Sequence, residues 1–268
     1  MDPTPEHQAL IDVIARVLAA DADVEAAWLA GSLGRGAGDA FSDVDVLALC
    51  GEGRADGVAA RWLHGCAAVA EPVLVNPLFG GRIVNVVTAD WQRFDVVFIE
   101  AANLERYDAA VLKALFNKGE LSPRTRAAAP YQPKPEAATA LVSEFLRILG
   151  MLPGAIGRGE HMLGLTGLEL LRRMTMDLML MENGVGPAEL GGALRRNPFL
   201  KPDQIAELEG LAPVAATRDG LIAANLELAP LFLARARRLA AELGAEWPLK
   251  LEDATRRHLE RTLGARWT

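Results

Sequence analysis

Hydrophobic and polar positions alternate differently in the two halves of the chain. Up to about residue 122, segments with apolar residues at helical spacing alternate with short runs that have the period of strands. The pattern predicts helices over 5–21 and 55–70. It predicts strands over 24–30, 42–50, 71–79, 82–90 and 93–100, and either an edge strand or a short helix over 110–120. Gly80-Gly81, between two of these strands, indicates a hairpin.

The second half has a different pattern. Four prolines lie within residues 122–139, which is typical of a linker. From there almost to the end, apolar residues recur at helical spacing. We therefore predict an α+β protein: a mixed β-sheet domain flanked by helices over residues 1–125, a linker over 126–134, and a C-terminal α-helical bundle over 135–268.

Composition narrows the class of protein. The chain has 268 residues, 51% hydrophobic and 24% charged, as expected of a globular protein. We expect neither a signal peptide nor a membrane span, and hence a cytoplasmic protein. A net charge of −7 argues against a long basic surface that binds nucleic acid. Cys50 and Cys66 lack metal-ligand spacing, so we predict two buried free thiols.

One stretch, AWLAGSLGRGAGDAFSDVDVLALC over residues 27–50, contains charges that its strand pattern does not require. Side chains alternate faces along a strand, so Asp43 and Asp45 point the same way while Val44 and Val46 point the other way. Two carboxylates on one face repel each other, and burying them uncompensated is costly. Mg²⁺ prefers carboxylate and phosphate oxygens. The pair is therefore a candidate magnesium site.

The glycine-rich turn before this pair is a candidate phosphate site. Gly31 allows close approach of a ligand to the backbone, and Ser32 offers a hydroxyl and an amide. If a short helix begins here, its free N–H groups would face a phosphate. Each half of the stretch also has an ordinary explanation, a surface loop or an exposed strand end. Their occurrence together, between two strands, favours the functional interpretation.

GSLGRGAGDAFSDVDV resembles the signature of the nucleotidyltransferase superfamily related to DNA polymerase β, which is Gly-Ser, a short spacer, then Asp-x-Asp. The resemblance implies a third carboxylate on a neighbouring strand. Asp95 fits, because it interrupts an apolar strand that follows the predicted hairpin. A lone aspartate in a strand can instead be a cap or the partner of Arg93.

Within that superfamily, the layout is similar to the aminoglycoside and lincosamide nucleotidyltransferases. That likeness implies a transferase that moves a nucleoside monophosphate, AMP from ATP or that of another nucleoside triphosphate, to a hydroxyl of a small-molecule acceptor. It implies two Mg²⁺ ions at Asp43, Asp45 and Asp95, with Asp95 either a ligand of the second ion or the acceptor of the hydroxyl proton. Triphosphate would lie against Gly31 and Ser32. An aminoglycoside-type antibiotic is one such acceptor, and antibiotic resistance one such role.

Two further residues are weaker candidates. Arg35 could neutralise phosphate, although an arginine on an exposed turn is about as often only solvated. Glu160, in GRGEHMLG, could bind the acceptor in the helical domain, or could simply favour a helix start. Alternative functions are nucleotidyl transfer to RNA or to a protein, as in toxin–antitoxin pairs, and nucleotide binding without catalysis. The three carboxylates favour an enzyme over the last of these.

Overall fold

The computed structural model describes residues 3–119, 121–125, 131–190 and 195–264. The chain divides into two compact units, Met1–Ala128 and Ala129–Thr268. Residues 126–130 of the predicted linker lie outside the described residues. The predicted α+β class is confirmed, with a mixed sheet in the first unit and helices in the second.

The first unit is built on a six-stranded sheet. Its strands, in chain order, are β1 (Val24–Leu29), β2 (Val44–Cys50), β3 (Pro72–Leu78), β4 (Ile83–Thr88), β5 (Arg93–Glu100) and β6 (Lys113–Asn117). They lie in the order β3-β4-β5-β2-β1-β6 across the sheet. The β2–β5 pair is parallel and the other pairs are antiparallel. The ambiguous segment 110–120 therefore contains an edge strand.

Helices cover one face of this sheet. The helices of the unit are α1 (Pro5–Ala20), the four-residue α2 (Gly31–Gly34) and α3 (Ala55–Gly65). Leu18 of α1 and Trp62 of α3 pack into one core with Val44, Val46 and Phe94. Alternation along β2 and β5 therefore sends Asp45 and Asp95 to the opposite face. That face carries a smaller apolar cluster, farther along the same strands, of Ala26, Trp28, Leu47, Leu49, Ile99 and Leu104.

The second unit consists of helices around its own core. They are α4 (Pro135–Leu149), α5 (Leu152–Gly157), α6 (His161–Glu182), α7 (Pro187–Leu190), α8 (Pro202–Glu209), α9 (Arg218–Leu243) and α10 (Leu249–Leu263). The rings of Phe145 and Phe232 stack at a centroid distance of 3.7 Å and join α4 to α9. Both side chains are fully buried, so this contact excludes water from the centre of the unit.

A buried carboxylate ties α10 to this core. Glu252 accepts hydrogen bonds from Trp247 Nε1 at 2.7 Å, Arg237 Nη2 at 2.5 Å and Arg256 Nη2 at 3.2 Å. Burial alone would raise the pKa of Glu252, but the hydrogen bond from Trp247 and the two guanidinium groups lower it overall. Glu252 is thus a fully compensated structural charge.

Two expectations from composition had different outcomes. Cys50 and Cys66 are free and buried, as predicted, and burial raises the pKa of the Cys50 thiol to about 12. We expected no membrane span, and among the described residues one helical stretch has the length and apolar composition that a span requires. The helical stretch Pro135–Gly157 is 23 residues long, and an 18-residue window within it has a mean hydropathy of 1.4, which is enough by length and composition alone to cross a membrane. In this fold its apolar side chains Val142, Phe145, Leu146 and Leu149 lie in the core of the second unit.

Candidate functional site

The strand register places two of the predicted carboxylates side by side. β2 and β5 pair in parallel with Asp45 opposite Asp95. Asp43 lies one residue before β2 begins at Val44. The observed strand thus starts two residues later than the predicted strand 42–50. All three aspartates are half-buried. The structure therefore brings Asp43, Asp45 and Asp95 to one end of adjacent strands, on the face that α1 and α3 leave uncovered.

The pKa directions show that these carboxylates act on one another. Burial, followed by the charges of Asp43 and Asp95, raises the pKa of Asp45 to about 6. Burial and the charge of Asp43 also raise the pKa of Asp95. Arg35 and Arg93 lower the pKa of Asp45, but less than burial raises it. Negative charge at this place is therefore incompletely compensated by the protein itself.

Gly31 and Asp45 form a single steric unit. Gly31 has a φ of +59°, in the left-handed region that favours glycine. A Cβ atom built at Gly31 would lie 1.7 Å from Asp45 Oδ2, closer than any non-bonded contact permits. The Gly-Ser half of the signature thus makes room for the carboxylate of the other half. The sequence interpretation had assigned that space to an approaching ligand.

The turn between α2 and β2 is held by polar side chains. Ser32 Oγ donates to Ser42 Oγ at 3.0 Å, and Ser42 Oγ accepts from the Asp39 N–H at 3.0 Å. Ser32 is therefore joined to the loop that carries Asp43. Since α2 has only four residues, its dipole is weak, and any phosphate contact there depends on individual N–H groups. Arg35 is the C-cap of α2 and acts on Asp45 through its charge.

Sequence reasoning missed Asn85 of β4. Asn85 lies directly opposite Asp95 and hydrogen-bonds its carboxylate, which lowers the pKa of Asp95 against the effect of burial. Asn76 Nδ2 of β3 donates to Asn85 Oδ1 at 3.3 Å. Because the Asn85 oxygen accepts that bond, the amide N–H group is the part of Asn85 that can donate to Asp95. Counting registers back from the β4–β5 turn would have found this residue, since antiparallel partners are fixed by the turn between them.

Arg93 does not pair with Asp95 as the alternative interpretation suggested. Its Nη2 atom donates to the carbonyl of Phe41 at 3.1 Å. In the part of the chain that the structure describes, no ion pair within 4.0 Å joins Arg93 to Asp95. Glu160 belongs to the second unit, where it is exposed at the N-cap of α6 and makes no side-chain capping bond.

The donor set suits a metal that takes its remaining ligands from elsewhere. Within the described ranges, no three His, Cys, Asp or Glu side chains are grouped closely enough to enclose a metal ion. Mg²⁺ is commonly held by one or two carboxylates together with substrate phosphates and water, so a closed cage is not required. Asp45 and Asp95, with Asp43 beside them, offer the oxygen ligands and the excess negative charge for that kind of site.

Solved structures similar to this chain include the following two. An aminoglycoside 6-adenyltransferase from Bacillus subtilis aligns with a TM-score of 0.43 and 14% identity over 96% of this chain and 97% of that one. A nucleotidyltransferase-like protein from Exiguobacterium sibiricum aligns with a TM-score of 0.33 and 14% identity over 96% and 88%. No family model and no curated protein matches the chain.

Proposed function

We propose that the protein is a Mg²⁺-dependent nucleotidyltransferase. One observation carries the proposal: the register of β2 and β5 places Asp45 beside Asp95, on a half-buried face where the protein compensates their charge only in part. Structural carboxylates with that degree of burial are normally paired. A divalent cation that arrives with a substrate would supply the missing positive charge, and the Gly-Ser…Asp-x-Asp signature matches that chemistry.

The reaction proposed is transfer of a nucleoside monophosphate, AMP when the donor is ATP, to a hydroxyl group of a small molecule. The acceptor oxygen forms a bond to the α-phosphorus, and the bond from that phosphorus to the bridging oxygen breaks. Pyrophosphate leaves with the bonding electrons, and the hydroxyl proton is lost. Bound Mg²⁺, two ions in the proposed state, would neutralise the charge that develops on the phosphate oxygens.

The protein's own groups have distinct proposed roles. Asp43 and Asp45 would hold the cation, and the absence of a side chain at Gly31 leaves room for the Asp45 carboxylate. Asp95, which Asn85 orients through its amide, either completes a second cation site or accepts the proton of the acceptor hydroxyl. The charge of Arg35 acts on Asp45, and we propose that its guanidinium group binds a phosphate of the triphosphate. Much of the rate enhancement would then come from positioning and charge neutralisation.

The acceptor is proposed to be a hydroxylated small molecule, with an aminoglycoside-type compound as one member of the class. Glu160 remains the proposed acceptor contact in the second unit, with an orienting role. We do not propose a nucleic-acid acceptor, because the net charge of −7 disfavours a phosphate-backbone surface.

A pyrophosphate-release screen tests the proposal. The intact chain would be incubated with Mg²⁺, each of the four nucleoside triphosphates, and a panel of hydroxylated small molecules. Acceptor-dependent release that requires Mg²⁺ and disappears with chelator is the expected result. Saturable nucleotide binding without pyrophosphate release from any acceptor would contradict transferase activity and indicate a binding protein instead.

A further inference from the structure

The second unit contains a cavity to which the proposed chemistry assigns no role. Its volume is about 420 Å³, within the range of small-molecule sites, which is roughly 300–1,000 Å³. Side chains from α4, α5, α6 and α9 line it. Apolar residues make most of the wall, among them Ile148, Leu152, Ala155, Leu168 and Met174. The cavity is therefore suited to the apolar part of a ligand.

A glycine in α6 keeps part of this cavity open. Glycine within a helix lowers stability by about 1 kcal/mol relative to alanine, so a glycine in a helix calls for a structural or functional explanation. Gly164 has one, because a Cβ there would lie 2.7 Å from Leu221 Cδ1. Gly167 also lines the cavity, yet a Cβ there would meet no other described atom within 4 Å. The packing of the protein itself does not explain Gly167, whereas space for a ligand does.

The mouth of the cavity exposes apolar side chains to solvent. Met151, Leu163 and Leu170 all line the cavity, and they are 58%, 54% and 46% exposed. Clustered exposed apolar groups around a concavity mark binding sites more often than isolated ones do. The hydrophobic gain from covering them is available to any ligand that fills the cavity.

Charge at the same mouth indicates what the ligand's polar end should be. Arg147 is already paired, with Nη2 2.6 Å from Glu144 Oε1. Arg158 lines the cavity too, but among the residues that the structure describes no carboxylate lies within 4.0 Å of it. A planar guanidinium binds carboxylate through two parallel hydrogen bonds. The mouth of the cavity therefore carries one positive group without a carboxylate partner among the described residues, the guanidinium of Arg158, beside an apolar interior.

We infer that this cavity binds a small amphipathic organic acid, with its hydrocarbon part between α4, α5 and α6 and its carboxylate at Arg158. The concave shape and modest volume favour such a molecule over a flat protein partner. This site lies wholly within the second unit and does not depend on the nucleotidyl-transfer proposal.

Decanoate is a suitable probe, tested by isothermal titration against the intact chain. We expect saturable binding at one site per chain and a rise in the unfolding temperature, because the ligand binds only the folded protein. Gly167→Leu should lower the affinity at least tenfold by filling the cavity. The control Gly57→Leu places the same side chain on an exposed glycine of α3, which is not among the residues that line the cavity, and should bind like wild type.

Arg158→Gln tests the polar end independently, should Gly167→Leu fail to fold. This variant should bind decanoate at least fivefold more weakly and bind decanol as wild type does. Absence of saturable decanoate binding to the wild-type chain would overturn the inference. So would unchanged affinity in a folded Gly167→Leu variant, and equal decanoate affinity in wild type and Arg158→Gln would overturn the assignment of an acid.

Discussion

The fold surrounds two carboxylates in opposite ways, the buried Glu252 of the second unit and the half-buried Asp45 of the first. Glu252 of the second unit accepts hydrogen bonds from Trp247, Arg237 and Arg256, and its pKa is lowered. Asp45 of the first unit has two acidic neighbours, and burial raises its pKa to about 6. The first arrangement stabilises the fold, whereas the second destabilises it in the absence of a cation. A carboxylate that the fold buries without compensation is the one to examine for function.

The largest expected effect is the loss of activity on changing Asp45. Asp45→Asn should reduce pyrophosphate release about 1,000-fold or more, equivalent to about 4 kcal/mol of transition-state stabilisation, because a ligand charge is lost. Steady-state assays with saturating Mg²⁺ would measure it. Asp90→Asn removes an exposed carboxylate of the same unit and is the matched control, with activity close to wild type. Wild-type rates in Asp45→Asn would remove the proposed mechanism.

Changing Glu252 should lower stability and leave activity nearly unchanged, which is the reverse of the effect expected at Asp45. Glu252→Gln should lower the free energy of unfolding by about 3 kcal/mol, because two guanidinium groups lose a buried partner. Urea denaturation would measure the loss. The rate per folded molecule should stay within a factor of two of wild type. A variant that remains as stable as wild type would show that the ion pairs at Glu252 are energetically neutral.

The two carboxylates should also respond to pH with opposite sign. The pKa of Asp45 is raised, so its cost to the folded state is full above pH 6 and disappears as pH falls towards 3.8. Glu252, with a lowered pKa, stabilises above its ordinary value of 4.5 and loses that contribution as pH falls below it.

Unfolding curves in chelator at several pH values would separate these effects. Asp45→Asn should be more stable than wild type by about 1 to 3 kcal/mol at pH 8, with the difference vanishing near pH 4. A constant difference at every pH would mean that Asp45 is not titrating in the folded protein.

The smallest expected effect concerns the amide beside Asp95. Asn85→Leu keeps the branched shape of the side chain but removes the hydrogen bond that orients the carboxylate, and should lower kcat about tenfold, or about 1.4 kcal/mol, with little change in KM for the triphosphate. Rate measurements across pH should also show a shifted profile, because the pKa of Asp95 would rise without its donor. An unchanged pH profile with a lower kcat would indicate a structural role only.

The strands were predictable because local alternation determines them. β1, β2 and β5 lie where the apolar pattern placed them, and Val44 and Val46 face the helices as alternation requires. The start of β2 was misplaced, because Ser42 bonds Asp39 in a turn rather than pairing in the sheet. Whether residues 110–120 would be strand or helix depended on pairing with β1, which the local sequence does not encode.

The candidate site was predictable only as far as its motif. The period of a strand predicted that Asp43 and Asp45 share a face, although Asp43 precedes β2. The position of Asp95 beside Asp45 follows instead from a parallel pairing between distant segments. Asn85 and the cavity at Gly167 depend on tertiary packing, so no short-range pattern reveals them.

The distance of 1.7 Å between a Cβ built at Gly31 and Asp45 Oδ2 limits which substitutions this protein can accept in evolution. Any side chain at Gly31 would push the Asp45 carboxylate out of position, so Gly31→Ala and Asp45→Asn should damage the same step. Their effects should then be strongly non-additive, with the double variant little worse than either single one. In evolutionary terms we expect the two positions to change together. A substitution at either one alone should inactivate the protein, and only a change at both could give a different working arrangement.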